Sequence, residues 1–97
     1  MSIKSTASVT GVGTLVLQVP PGTGSIYRVE IDCTNAAQVV TVRSKSANGT
    51  GFKGVDASDA TVVVDVAAAF DLPGVVALQF VPSDAATSFT VRVVRAD

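Results

Sequence analysis

The side chains with reactive chemistry are few and badly spaced for catalysis. The chain has no His and one Cys, Cys33, which removes the Ser/His/Asp and Cys/His nucleophile arrangements and any zinc site of ordinary nitrogen and sulfur ligands. The remaining titratable cluster is Asp56, Asp59 and Asp65. Paired carboxylates can trade a proton or hold a hard cation. Here they fall in or beside a turn-rich stretch, where Asp is expected for local backbone hydrogen bonds, and Asp56-Ala57-Ser58-Asp59 lacks the spacing of an EF-hand loop. Gly11-Val12-Gly13 and Gly22-Thr23-Gly24 have no following Lys-Ser/Thr of a phosphate loop, so they read as turn and strand-edge glycines. With no His or local basic cluster in sequence to activate it, Cys33 reads as a small buried hydrophobe. The expectation is a protein that is not an enzyme and has no cofactor.

Partner chemistry is limited in the same way. Seven basic and eight acidic residues give a net charge of −1, and the Lys and Arg residues are scattered; a nucleic-acid surface needs them clustered. A carbohydrate platform usually offers exposed rings for stacking, and only Tyr27 and four Phe residues are available. No apolar window reaches the length of a membrane span or a secretory signal, so the expectation is a soluble chain made in the cytoplasm, with Asn48-Gly49-Thr50 a turn.

The elements that must position these residues are strands. Val and Thr supply 29 of 97 residues, and stiff β-branched side chains suit a pleated surface better than a helix. Turn signals at 20–24, 35–36, 46–51, 71–74 and 82–84 separate runs near 3–9, 12–19, 25–34, 38–45, 61–69, 75–81 and 88–95, with a short extra strand possible at 52–55. The predicted fold is all-β: one small domain over 1–97, a β-sandwich or jelly roll of seven to eight mainly antiparallel strands. Period-two alternation places Tyr27, Val29, Ile31 and Cys33 inward against Arg28, Glu30 and Asp32, and Phe89, Val91 and Val93 inward against Thr90, Arg92 and Val94. By the same rule Val76, Leu78 and Phe80 share the core face. Helix rivals strand over Ala67 to Ala69, but the valines nearby and Pro73 just beyond favour strand.

Charged residues make up 15% of the chain against roughly 25% in an average globular domain, which argues for a surface partly covered by other subunits. Val39, Val63, Val75 and Val94 fall on the face away from the core and are candidate contacts, the alternative being scattered exposed valines. Residues 1–8, carrying Ile3 and Lys4, read either as an arm ordered by a neighbour or as an ordinary first strand.

A chain near one hundred residues, rich in Val, Thr, Ala and Gly and ending in the hydrophobic strand Phe89-Thr90-Val91-Arg92-Val93-Val94-Arg95, resembles small all-β virion proteins of tailed bacteriophages, especially the head decoration or cement class. The resemblance implies a homo-oligomeric sandwich on the capsid surface, contacting the major capsid protein or other virion subunits and reinforcing the shell. A minor tail or neck protein, a carbohydrate-binding module and a host-interaction module are the other readings. Thermal unfolding with and without a chelator is expected to give the same midpoint. A calcium-reversible loss of stability would instead make ligands of Asp56, Asp59 and Asp65.

Overall fold

The computed structural model describes residues 5–20, 22–33, 39–47, 49–55, 61–63 and 67–96. Among them nine strands form: β1 (Ser5–Val12), β2 (Leu15–Gln18), β3 (Ile26–Cys33), β4 (Val39–Ser46), β5 (Lys53–Gly54), β6 (Thr61–Val63), β7 (Ala67–Asp71), β8 (Val75–Pro82) and β9 (Ser88–Ala96). One sheet has the order β1-β9-β3-β7; the other runs β2-β8-β4, with β5 and β6 in tandem on the far edge of β4. Every pairing is antiparallel. The pairs are nested: β1 with β9, β2 with β8, β3 with β7, and β4 with β5 and β6. A long hairpin rolled over on itself gives this pattern, so the sandwich is a jelly roll in which two short segments share one strand position.

Strand-by-strand alternation decides which side chains meet. In β3 the burial alternates residue by residue, with Tyr27, Val29, Ile31 and Cys33 inside. β9 supplies Phe89, Val91 and Val93 in register with Cys33, Ile31 and Val29. Leu15, Leu78, Phe80, Val40 and Val42 close the core from the other sheet. Burial of each large apolar side chain contributes on the order of 1.5–3 kcal/mol. Gly11 sits opposite Phe89, and a Cβ there would come within 2.8 Å of Leu15 Cδ2; its absence lets the edge of one sheet close down on the other. Chain reversal needs a left-handed residue at Gly13 (φ 78°) and again at Gly74 (φ 76°), which follows Pro73 in the pattern of a type II turn.

One end of the core is sealed by a cation. Arg95 lies with its guanidinium carbon 5.2 Å from the Tyr27 ring centre. It donates hydrogen bonds to the carbonyls of Pro20 (2.9 Å) and Gly24. The loop between β2 and β3 is thereby fastened to the last strand, and hydrogen bonds to a charged group are the stronger kind.

Several sequence expectations are corrected. Within the run 61–69 the described residues belong to β6 and β7, with Ala67–Ala69 in strand as favoured, and β7 continues to Asp71. Val12 belongs to the first strand, with Gly13 starting the turn. Of the segment 1–8, read as an arm or as an ordinary first strand, residues 5–8 pair with Arg95 to Arg92 in β1; Ile3, Lys4, Asp56, Asp59 and Asp65 lie outside the described residues. The phase at the start of β8 is reversed. Lys45 pairs with Ala77 but Ser46 pairs with Val75, leaving Val76 as an extra residue in the ladder. A bulge of this kind shifts the alternation by one, so Val75 is buried and Val76 is exposed, while Leu78 and Phe80 remain inside as expected. Truncation of Val75 to Ala is expected to cost about 2 kcal/mol, and the same change at Val76 no more than about 0.5 kcal/mol. Urea unfolding of the two variants measures the difference, and equal losses would show the phase to be otherwise.

Candidate functional site

The outward residues of the β1-β9-β3-β7 sheet are fixed by the same registers that build the core. Ser8 stands opposite Arg92, Arg92 opposite Glu30, and Glu30 opposite Ala67, forming one row across all four strands. The next row contains Thr10, Thr90 and Asp32, and the row on the other side contains Thr6, Val94, Arg28 and Ala69. Residues of the first two rows line a shallow hollow of about 550 Å3, bounded by Ser8, Glu30, Asp32, Ala67, Thr90 and Arg92 together with Ile31.

Its electrostatics are internally balanced. Arg92 Nη2 donates to both oxygens of Glu30, at 3.0 and 2.9 Å, and Arg28 Nε approaches the same carboxylate at 3.7 Å. Asp32 is exposed one row away. The threonine hydroxyls of β1 and β9 touch, Thr10 Oγ1 to Thr90 Oγ1 at 2.8 Å. Alanine rather than a large side chain at position 67 leaves the β7 side of the hollow low. Such a surface can offer hydrogen bonds and a fixed pattern of charge to a partner. It assembles no nucleophile with a base, and among the described residues no group of three His, Cys, Asp or Glu side chains is placed to hold a metal ion. All five aromatic rings are buried or half-buried, so none offers a fully exposed stacking face.

The candidate contact valines do not form one patch. Val39 is exposed at the start of β4, on the outer side of the other sheet, with Val63 as its register partner in β6. Val94 is half-buried on the opposite side of the sandwich, between Thr6 and Arg28. Val75 is a core residue, for the bulge reason given above. Among the described residues the exposed large apolar side chains other than Val39 are Val12, Val16, Ile26 and Val76. Val16 was available to sequence reasoning, since Leu15 and Leu17 flank it on the inner phase. The hollow's residues were assigned outward by alternation, but the cross-strand pairing that brings Glu30 to Arg92 carries no signal within either strand. Cys33 is buried, its thiol 3.6 Å from the Ser88 carbonyl.

No family model and no curated protein matches the chain. Solved structures do share its fold. The SPBc2 prophage-derived protein YomS superposes with a TM-score of 0.72 at 14% identity, covering 100% of this chain and 96% of that one. The Yersinia pseudotuberculosis-derived mitogen gives 0.58 at 12% identity, over 98% of this chain and 86% of the other. A Bacillus endospore appendage protein, from a family of disulfide-linked pili, gives 0.53 at 14% identity, over 97% and 87%. At such identities the likeness is one of fold.

The Glu30 and Arg92 side chains keep 35% and 55% of their surface exposed, so solvent screens their attraction. A double-mutant cycle with Glu30→Ala and Arg92→Ala is expected to give a coupling of about 0.2–1 kcal/mol toward folding. A much larger coupling would make the pair a structural strut instead of a surface available to a partner.

Proposed function

We propose that the chain is a non-enzymatic structural protein of a tailed-bacteriophage virion, decorating the capsid surface and stabilising the shell through contacts with the major capsid protein or other virion subunits. The observation that carries this reading is the end-to-end likeness to a prophage-derived protein, 100% of this chain against 96% of that one. A pilus subunit among the fold neighbours supports an assembling role more generally. The hollow fits the reading, because it offers balanced charge and hydroxyls without a reactive group. The low charge of the chain suits a surface that is partly covered. No membrane contact is part of the proposal, and among the described residues no helix is long and apolar enough to cross a bilayer.

The mechanism would be mass action. A protein that binds the assembled shell and not its separated subunits stabilises the shell by an amount set by its concentration relative to Kd. Nothing need be cleaved or transferred. The hydroxyl-lined hollow also favours a second reading, a carbohydrate or host-surface contact made through hydrogen bonds.

The test is to tag the chain in the phage or prophage that encodes it, band the particles on a density gradient and label them with gold. Tag in the particle band with gold on heads is the expected result. Gold on the tail or neck would move the protein to the minor tail class, and a particle band free of tag would overturn the virion reading. A glycan array probed with the intact protein addresses the second reading, which predicts binding that Arg92→Ala abolishes.

A further inference from the structure

Sheet edges are where a sandwich either blocks or invites another chain, and natural proteins shorten, charge, kink or interrupt them with Pro. Three of the four edge positions here are guarded. β2 has four residues and runs toward Pro20; β7 has five and ends on Asp71; β5 and β6 have two and three, with Lys53 in the former. β1 is different. It is eight residues long, Ser-Thr-Ala-Ser-Val-Thr-Gly-Val, without a charge, a proline or a break in register.

The hydrogen-bond phase identifies which of its backbone groups have no ladder partner among the described residues. The Gly13 N–H donates to the Thr87 carbonyl at 3.3 Å, continuing the β1–β9 ladder one step beyond Val12 and Ser88. Antiparallel ladders alternate between residues that exchange both bonds and residues that exchange none. Gly11, Val9 and Ala7 therefore bond to Phe89, Val91 and Val93, and Thr6, Ser8, Thr10 and Val12 turn their N–H and C=O groups to the open edge. All four are exposed.

We infer that this edge is a self-recognition site: two copies of the chain pair their β1 strands antiparallel about a two-fold axis at Val9, merging two four-stranded sheets into one. In that register Thr6 meets Val12 of the second copy and Ser8 meets its Thr10, so every open donor and acceptor named above is satisfied. Residues of like parity oppose one another, as a common face requires. On the inner side Ala7 meets Gly11, small against small, and Val9 meets its own counterpart. On the outer side Ser8 and Thr10 extend the hydroxyl contact already made between Thr10 and Thr90. About that axis the strand matches itself in hydrogen-bond phase, in face and in its lack of charge, and this self-complementarity commits the edge to a second copy as its occupant. The two hollows, each with Ser8 on its rim, then flank the junction on one continuous surface. The inference needs only the β1 edge and stands apart from the virion proposal.

Sedimentation equilibrium of the full chain tests it, with a species of twice the 9.8 kDa chain mass expected to grow with concentration. Ser8→Pro removes an N–H from the open edge and none from the β9 ladder, so it is expected to abolish the dimer with little change in Tm. In an oxidising buffer Val9→Cys is expected to give a disulfide-linked dimer, since non-hydrogen-bonded antiparallel pairs bring Cα atoms to about 4.5 Å; the wild type, whose Cys33 is buried, serves as the control. A wild type that stays monomeric at every concentration overturns the inference. So does a dimer that survives Ser8→Pro unaltered, or one that Val9→Cys fails to trap. If Ser8→Pro does not fold, Ser8→Lys takes its place: weakened dimerisation supports the edge and unchanged dimerisation overturns it.

Discussion

The structure depends on one register, that of β9 lying between β1 and β3. Because side chains alternate faces along a strand, fixing Val91 opposite Ile31 and Val9 determines two surfaces together. The inner residues Phe89, Val91 and Val93 join Cys33, Ile31 and Val29 in the core, and the outer residues Thr90, Arg92 and Val94 face Asp32, Glu30 and Arg28. A one-residue slip of β9 would turn Arg92 into the core, away from Glu30, and expose Phe89, Val91 and Val93. The hollow therefore needs no dedicated scaffold of its own. Its geometry is maintained by the same hydrophobic energy that holds the two sheets together.

Much of this was legible in the sequence because alternation is a local property. Tyr27 through Cys33 and Phe89 through Val93 declare their phase within a few residues, and both phases agree with the structure. β8 was harder. Five apolar residues in the run Val75 to Phe80 leave its phase to be set by a partner strand, and the bulge opposite Lys45 and Ser46 is a property of that pairing. The same reason explains the candidate contacts. Val39, Val75 and Val94 look alike in sequence, yet one sits on each outer side of the sandwich and one is in the core. Which strands become neighbours depends on nested long-range pairing, which has no signature within a single strand.

Several polar residues serve the fold before they serve any partner. Arg95 is spent on Tyr27 and two loop carbonyls, and Asp71 accepts from Ser25 Oγ at 2.6 Å, tying the start of β3 to the end of β7. Ser83 and Val39 exchange backbone and side-chain hydrogen bonds, joining the β8–β9 turn to β4. What remains for recognition is the outer sheet face and its open edge. Both belong to β1 and its neighbours, so any partner that reads one is positioned against the other.

The nested topology also imposes an order on biosynthesis. Of the two central strands of the four-stranded sheet, β9 is the last described in the chain, and its neighbour β1 is the first. Until the ribosome has released β9, β1 has nothing to pair with and β3 has only β7. The valine-rich inner faces of the emerging strands must wait in water for the contact between β1 and β9. Folds of this kind close slowly, on the millisecond-to-second scale, and this one completes its four-stranded sheet only once β9 has emerged. During that interval a nascent jelly roll is exposed to capture by neighbouring chains, so the rate of production in the cell bears on yield as directly as the stability of the finished domain.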